Sequence, residues 1–258
     1  MSTVTDKRVL VTGGASGMAA AVAADLAAHG ALVVLTDINE EGGEKNAAEA
    51  RAAGGSAHFL ACDVTNPSSV DRAVTATAEH LGGSIDALVH AAGISPALPA
   101  ATSDLEFWNT VMAVNATGTY LMNCAVLPYL RSPGGRIINF GSSAGVLGYP
   151  GKAQYAAAKG AVIAWTRSIA KEWGDRGITA NIIAPAIATP MYAKTRASMT
   201  PEQLAEHDKE IAQRMAVGAK LGDPTRDLAP VIRFLVSDDS GFITGQTIAV
   251  DGGILMMR

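Results

Sequence analysis

Three side chains near the middle of the chain could move a proton between them: Tyr155, Lys159 and Ser142. The tyrosine and the lysine are four residues apart, so on a helix they lie on the same face, one turn from each other. Lowering the pKa of a phenol from near 10 to about 7 requires roughly 4 kcal/mol of preferential stabilisation of the phenolate, and a neighbouring ammonium supplies part of it. The spacing predicts a tyrosine acid or base, with the Ser142 hydroxyl bound to the oxygen whose proton moves. The alternative is a surface tyrosine beside a solvated lysine.

A glycine-rich turn near the N-terminus is the second chemical feature. Gly13, Ser16, Gly17 and Met18 belong to the segment TGGASGMA, between a short apolar strand and an alanine-rich helix. Glycines there permit a tight turn and the close approach of a pyrophosphate, which the positive start of the helix would bind. The segment has no lysine, which argues against a P-loop. We interpret it as a dinucleotide cradle, the alternative being a purely structural turn.

A carboxylate about 20 residues further on indicates which dinucleotide is bound, because this position accepts hydrogen bonds from the ribose hydroxyls. Asp37 ends the second predicted strand and would repel a 2′-phosphate. Ala15, Ser16 and Ile38 provide no positive charge to hold one. The prediction is therefore NAD rather than NADP. Asp63, after the third strand, is predicted either to hold the adenine amine or to serve as a turn residue.

Strand and helix patterns alternate along the chain. This alternation predicts a single α/β domain, a doubly wound parallel sheet with helices on both faces. Continuously apolar strands fit a sheet that is covered on both sides. The predicted strands are Arg8–Thr12, Ala31–Asp37, Ser56–Ala61, Ala87–His90, Arg136–Phe140, Thr179–Ile183 and Thr247–Val250.

Capping residues mark the starts of the predicted helices. Asn39, Asn66 and Thr200 are predicted N-cap residues. Ser103 with Glu106 predicts a capping box that opens a long helix reaching about residue 129. One segment departs from the strand–helix alternation, and we expect residues 187–221 to form a helical lid over the substrate.

Composition and charge argue against several classes of protein. Of the 258 residues, 48% are hydrophobic and 17% charged, which is ordinary for a buried sheet and argues against disorder. A net charge of -4 does not favour nucleic-acid binding. There is neither a run of apolar residues long enough to span a membrane nor a signal-peptide pattern, so no membrane partner is expected. Cys62 and Cys124 are interpreted as reduced thiols of a cytoplasmic protein, and no metal-ligand spacing is present.

Taken together, these segments resemble the short-chain dehydrogenase/reductase family over essentially the whole chain. The segments that carry the resemblance are TGGASGMA at 12–19, CDVT at 62–65, HAAG at 90–93, VMAVNATG around Asn115, GSSAG at 141–145, YAAAK at 155–159 and TGQTIAVDGG at 244–253. The resemblance implies a Rossmann-type sheet of seven strands, a nicotinamide cofactor and a homotetramer.

The resemblance also implies a catalytic tetrad of Asn115, Ser142, Tyr155 and Lys159. Tyr155 would be the general acid in ketone reduction and the base in alcohol oxidation, while Ser142 would bind the substrate oxygen. Lys159 would hold the nicotinamide ribose and lower the pKa of Tyr155, and Asn115 would bind a water linking Lys159 to solvent. Further cofactor contacts are expected from Val64, Ala91, Gly93, Pro185, Ile187 and Thr189.

Three positions depart from the family pattern. Ala19 replaces a glycine of the cradle, His90 replaces an asparagine that supports the sheet, and Ala186 replaces the glycine after a proline. We expect Ala19 to be tolerated where helix packs on strand. His90 should replace some of the asparagine's hydrogen bonds, and Ala186 should stiffen the backbone slightly.

The predicted substrate pocket is mostly apolar. The residues expected to line it are Ile94, Ser142, Leu147, Tyr149, Met191 and Tyr192. This lining predicts an uncharged, fairly apolar substrate. Lys152, Lys194 and Arg196 could bind an anionic group, but exposed cations are usually solvated.

The functional prediction is an oxidoreductase that transfers a hydride between NAD(H) and a secondary alcohol or ketone, a small-molecule substrate. Two enzyme alternatives are a 3-oxoacyl thioester reductase, which normally uses NADPH, and a dihydrodiol dehydrogenase. An alternative from another class is a non-catalytic NAD-binding sensor, against which the complete tetrad argues.

Overall fold

A sheet of seven parallel strands lies at the centre of the protein, in the order β3-β2-β1-β4-β5-β6-β7. The computed structural model describes residues 3–256, except for the side chain of Met191. The strands are β1 Arg8–Thr12, β2 Leu32–Asp37, β3 Ser56–Ala61, β4 Ala87–His90, β5 Arg136–Phe140, β6 Thr179–Pro185 and β7 Thr247–Val250. The predicted Rossmann-type fold is confirmed. The strand order reverses between β1 and β4, so a crevice opens at the carboxyl ends of these two strands.

Helices cover both faces of the sheet. They are α1 Gly17–Ala28, α2 Glu40–Ala52, α3 Pro67–His80, α4 Leu105–Met112, α5 Gly118–Val126, α6 Ala144–Leu147, α7 Ala153–Glu172, α8 Pro190–Ala197, α9 Pro201–Arg214 and α10 Ala229–Val236. Helices α1, α2 and α10 pack on one face, and α3, α5 and α7 pack on the other. None of the helices in the described part of the chain is long and apolar enough to cross a membrane.

Strand β1 shows why the strands lack an alternating pattern. Val9 and Val11 belong to the core beneath α1, whereas Leu10 belongs to the core on the opposite face. Successive side chains of a strand point to opposite faces, so a sheet covered on both sides needs apolar residues at every position. Each such burial stabilises the fold by about 1.5–3 kcal/mol.

The predicted N-caps at Asn39, Asn66 and Thr200 are confirmed. The side chains of Asn39 and Asn66 accept backbone hydrogen bonds at the starts of α2 and α3. Thr200 and Gln203 form a complete capping box at the start of α9. These side chains satisfy N–H groups that have no partner within the helix.

The prediction for the next helix was wrong at its start and in its continuity. Asp104 caps α4 instead of Ser103, and its carboxylate accepts the N–H of Phe107 at 2.8 Å. A carboxylate is a charged acceptor and also suits the positive helix start, which favours Asp104 over the neighbouring hydroxyl. The helix predicted to run to residue 129 changes to a π-helical turn over Ala113–Thr117, and α5 then ends at Val126.

The segment 187–221 leaves the sheet and returns to the same place. Ile187 forms a parallel bridge with Gly222, and the N–H of Ala188 donates to the Gly222 carbonyl at 2.8 Å. Helices α8 and α9 lie between these joined ends, and α9 buries none of its residues. The prediction that residues 187–221 are mainly helical is confirmed. The role of the segment as a substrate lid stays a prediction.

Candidate active site

A cavity of about 420 Å³ opens at the carboxyl ends of the central strands. This central cavity lies where doubly wound sheets bind their ligands. Predicted cofactor residues that line it are Gly13, Ser16, Gly17, Met18, Asp37, Ile38, Asp63, Val64, Ala91, Gly93, Tyr155, Lys159, Pro185 and Thr189. Asn115, Ser142 and Ile94 also line it. The fold therefore brings together residues that are more than 170 positions apart in the chain.

The glycine-rich turn has the geometry of a phosphate cradle. Gly13 has a φ of +78°, and a Cβ there would lie 3.0 Å from backbone atoms of Ala92. Gly17 has a φ of +62° and starts α1. The Ser16 side chain makes no capping bond, so it does not occupy the N–H groups of the first turn. The residues present thus fit the pyrophosphate of a dinucleotide.

Two of the departures from the family pattern are accommodated by the fold. Ala19 is 3% exposed and packs in the core beneath the cradle. Ala186 does not adopt a positive φ, so replacing glycine by alanine at this position causes no backbone strain. Its N–H donates to the Val250 carbonyl at 3.0 Å, which ties the end of β6 to β7.

A buried hydroxyl holds the backbone that follows β4. The Thr12 hydroxyl accepts the N–H groups of Ala91 and Ala92 at 3.2 and 3.1 Å. Its own proton is then directed to His90 Nδ1, at 2.9 Å. His90 Nε2 carries the ring proton in this arrangement, and this buried nitrogen has no partner within residues 3–256. Burial, with a smaller effect of the Lys159 charge, lowers the pKa of His90 to about 3.

Asn115 is fully buried in the π-helical turn, and its side chain holds the backbone of Ile94. Its Oδ1 accepts the N–H of Ile94 at 3.2 Å, and its Nδ2 donates to the Ile94 carbonyl at 3.0 Å. The Asn115 carbonyl accepts the Thr119 hydroxyl at 2.7 Å. The π turn shifts the helical bonding pattern locally, as is frequent at functional sites. The predicted water contact of Asn115 stays a prediction.

Lys159 points into the protein interior from α7. Its Nζ donates to the Phe140 carbonyl at 2.7 Å and lies 5.8 Å from the centroid of the Tyr155 ring. Burial lowers the pKa of Lys159 to about 8. Gly93 leaves room for this arrangement, because a Cβ there would lie 2.7 Å from Asn115 Oδ1 and 3.5 Å from Lys159 Nζ.

The acidity of Tyr155 differs from the expectation. Burial raises the pKa of Tyr155, and a hydrogen bond with the Ser142 side chain opposes this increase only in part. The expected lowering by Lys159 does not dominate, because the ammonium is bound to the Phe140 carbonyl and the phenol is desolvated. Tyr155 is consequently protonated near neutral pH, as a general acid must be.

Asp37 is held between the cradle and the start of α2. One of its oxygens accepts the N–H of Ala15 at 3.1 Å, and the other accepts the N–H of Asn39 at 3.0 Å. Asp63 accepts both the N–H and the hydroxyl of Thr65, as expected for a turn residue. Among the lining residues of the central cavity that the structure describes, the only cation is Lys159.

Three of the predicted substrate-pocket residues, Leu147, Tyr149 and Tyr192, are not among the residues that line the central cavity, and the pocket stays a prediction. Leu147 and Tyr149 are 61% and 42% exposed, because the turn between α6 and α7 faces solvent. The Tyr192 hydroxyl is bonded to His207 Nε2 at 2.8 Å within the 187–221 segment. The side chain of Met191 lies outside the described residues. Of the predicted pocket residues, Ile94 and Ser142 line the cavity.

The Ile187 side chain is 7% exposed and packs in the core with α1 and α10, outside the lining of the central cavity. The predicted cofactor contact of Ile187 stays a prediction.

Sequence reasoning missed several residues that shape the cavity. Thr12 opens the segment TGGASGMA, and a hydroxyl at the end of a buried strand was a usable signal. Phe140 contributes its backbone carbonyl to Lys159, a role that no side-chain type reveals. Ser95 lines the cavity and accepts hydrogen bonds from Lys152. No spacing rule pointed to Ser95, since the contact spans two loops.

The fold, the cradle and the buried tyrosine–lysine pair define a class of nicotinamide-dependent oxidoreductases. A family model described as enoyl-(acyl carrier protein) reductase matches residues 13–255. The chain belongs to the short-chain dehydrogenase/reductase family, whose members bind a nicotinamide cofactor. It is an oxidoreductase that transfers a hydride to or from this cofactor.

Relatives and solved structures match along nearly the whole chain. The 2,5-dichloro-2,5-cyclohexadiene-1,4-diol dehydrogenase LinX of Sphingobium indicum is 39% identical over 249 residues, 96% of this chain and 95% of LinX. The cyclopentanol dehydrogenase of Comamonas sp. is 38% identical over 263 residues, 98% of both chains. The crystal structure of an actinorhodin polyketide ketoreductase with NADPH has a TM-score of 0.87 at 29% identity, covering 98% of this chain and 99% of the other.

Proposed function

We propose that the protein is an NAD-dependent dehydrogenase/reductase of secondary alcohols and ketones. The observation that carries the proposal is the placement of Tyr155, Ser142 and Lys159 in the cavity that also contains the cradle and Asp37. When bound, the coenzyme supplies the hydride donor or acceptor. The protein's own task is to move the proton and to hold the reacting groups close together.

The proton steps follow from the positions of the side chains. In ketone reduction, Tyr155 donates its proton to the substrate oxygen, which the Ser142 hydroxyl orients. In alcohol oxidation, the tyrosine accepts that proton. Because burial raises the pKa of Tyr155 in the protein alone, the phenolate needs additional positive charge from Lys159 and from an oxidised coenzyme. General acid–base catalysis of this kind contributes about 10²–10⁴-fold.

The preference for NAD over NADP rests on the charges around the ribose site. The Asp37 carboxylate lies at the end of β2, fixed by two backbone N–H groups. No arginine or lysine among the described cavity residues lies beside it to pair with a 2′-phosphate. A ketoreductase of the same fold binds NADPH, so the proposal for NAD rests on the local charge at Asp37 and not on the fold.

The substrate proposal uses the relatives and the cavity together. The names of two relatives indicate cyclic alcohol substrates. Cyclopentanol has one secondary alcohol group, and the cyclohexadiene diol of LinX has two. LinX also favours a second candidate, the oxidation of a cyclic diol. The segment 187–221 is proposed to close over such a substrate.

The proposal is tested by supplying purified protein with a panel of secondary alcohols, cyclic diols and ketones while NADH absorbance is followed. We expect turnover with NAD(H) at least about tenfold more efficient than with NADP(H), since the wrong charge near a phosphate costs more than 1.4 kcal/mol. Asp37→Ala should narrow that ratio. Asp63→Ala is the matched control, because it removes a carboxylate elsewhere in the cavity and should affect both coenzymes alike.

Two results would contradict the proposal. A wild-type preference for NADPH would show that the Asp37 carboxylate does not exclude a 2′-phosphate. Protein that binds NADH but turns over no member of the panel would instead support a non-catalytic sensor.

A further inference from the structure

Lys152 is the charged residue closest in sequence to the reactive tyrosine on its N-terminal side, and the structure gives it a defined position. Its Nζ donates to the carbonyl and to the hydroxyl of Ser95, at 3.2 and 3.0 Å. Ser95 itself lines the central cavity. The ammonium is therefore fixed beside the cavity wall instead of being fully solvated as expected.

The charge of Lys152 is not neutralised by the protein. Within residues 3–256, no carboxylate forms an ion pair with Lys152, whereas Arg196 of α8 is paired with Asp208 of α9. Burial lowers the pKa of Lys152, and no nearby carboxylate offsets this effect. Of the two carboxylates of the cavity, Asp37 ends β2 and Asp63 follows β3, and these strands are separated from β5, which precedes Ser142, by β1 and β4. The reactive end thus has a net positive character.

Lys152 lies at the start of α7, the helix that carries Tyr155. Lys152 is the residue immediately before α7, and its carbonyl accepts the N–H of Ala156 at 2.9 Å, as in a first helical turn. An ammonium can donate three hydrogen bonds, and Ser95 accepts two of them. The third remains for an acceptor on the substrate.

We propose that Lys152, positioned by Ser95, is a specificity-determining residue that binds a carboxylate of the substrate. The substrates are then hydroxy acids and oxo acids in which the carboxylate lies a few bonds from the reacting carbon. This inference rests on the proposed function, and it replaces the expectation of an uncharged substrate. Ile94, next to Ser95 in the cavity wall, would contact the apolar part of such a molecule.

A purely structural role for Lys152 predicts something different. The loop that contains Ser95 is already joined to the start of α7 by the Leu98 N–H, which donates to the Gly151 carbonyl at 2.9 Å. If Lys152 only strengthened that junction, its removal would affect charged and neutral substrates equally. The ratio of the two activities therefore separates the explanations.

The test measures kcat/KM with NADH for oxo acids that have one to three methylene groups between ketone and carboxylate. Each oxo acid is paired with a methyl ketone of the same length that lacks the charge. For Lys152→Gln we expect the acid-to-ketone ratio of the best pair to fall about tenfold to a hundredfold, since a charge-assisted hydrogen bond is lost. Lys152→Arg should recover part of the ratio. Lys171→Gln is the matched control, an exposed lysine near the other end of α7, and should leave the ratio within about twofold.

The proposal is overturned if Lys152→Gln lowers both activities equally or leaves the ratio unchanged. It is also overturned if the wild-type protein reduces ketones but none of the oxo acids.

A binding measurement separates this proposal from the proposed function. Calorimetric titration of butanoate into the protein with NADH needs no turnover, so it remains informative if no substrate reacts. Butanoate binding that weakens about tenfold in Lys152→Gln but not in Lys171→Gln supports the carboxylate site. Wild-type protein that does not bind butanoate, or a variant that binds it equally well, refutes it.

Discussion

The two ends of the central cavity are held together by different kinds of bonds. At the cofactor end the backbone is bound directly: the N–H of Gly13 donates to the Thr36 carbonyl at 2.8 Å, and the Thr12 hydroxyl accepts two backbone N–H groups. In the 187–221 segment, whose Thr189 and Pro190 line the cavity, helices α8 and α9 are joined to each other by side chains, such as Tyr192 with His207. Helix α9 buries none of its residues there.

This difference explains why residue types alone indicate some aspects of the function and not others. Close backbone contacts tolerate only glycine or a small hydroxyl residue at particular positions, so the cofactor end leaves a motif in the sequence. Exposed side chains that bond to each other can be replaced by many pairs. The class of reaction is therefore readable, whereas the substrate depends on loops whose positions no short motif records.

Tyr155→Phe should produce the largest effect and should separate the two ends. Loss of the hydroxyl removes the proton donor while the ring keeps its packing, so kcat should fall about 10²–10⁴-fold. NADH affinity, measured by fluorescence titration, should stay within about twofold because the cradle is unchanged. Tyr120→Phe, at a 48% exposed tyrosine of α5, is the control. Turnover that persists in Tyr155→Phe would show that Tyr155 is not the general acid.

A pair of glycine substitutions compares the cofactor end with the solvent-facing turn before α7. Gly13 and Gly151 have φ values of +78° and +76°, but only at Gly13 would a Cβ meet other atoms, the backbone of Ala92 at 3.0 Å. Both alanine variants should lose about 1 kcal/mol from backbone strain. Gly13→Ala should lose a further 1–2 kcal/mol, roughly, and bind NADH about tenfold more weakly.

Urea unfolding and NADH titration of both glycine variants measure these differences. Equal losses in the two variants would show that the cofactor end is no more tightly constrained than the turn at Gly151.

His90→Asn should produce the smallest effect and should show what the buried ring contributes beneath the cofactor end. In the folded chain the pKa of His90 is about 3, against 6.5 in the unfolded chain, so only the unfolded chain takes up the proton between these values. Stability is therefore lost as the pH falls below 6.5. The loss amounts to about 2 kcal/mol at pH 5 relative to pH 7.

Urea unfolding at pH 7 and pH 5 tests this dependence. The asparagine variant should lack that part of the decrease, whatever its stability at pH 7. An identical decrease in both proteins would mean that His90 is not held neutral by the fold.

The sequence predicted the parts of the structure that depend on local patterns. Strand β1 was predicted with its observed limits and β2 within one residue, because buried strands are short apolar runs between turn residues. Asn39, Asn66 and Thr200 were recognisable as caps because their bonds reach only three residues along the chain. The choice between Ser103 and Asp104 was missed, since both side chains can cap and only the packed helix selects one.

Other features depended on contacts between distant segments. The π-helical turn around Asn115 accompanies bonds to the backbone of Ile94, 21 residues earlier. The raised pKa of Tyr155 follows from burial, which the spacing of a tyrosine and a lysine does not show. Ser95 and Lys152 are 57 residues apart and meet only through the fold.

By itself, then, the sequence determined the order of strands and helices, the cradle, and the residue types of the proton-transfer group. Each of these features depends on residues that are close together in the chain. The tertiary structure decided the direction in which the pKa of Tyr155 shifts, the neutral state of His90 and the position of the Lys152 charge. These properties are set by desolvation and by partners across loops, and both exist only when the chain has packed.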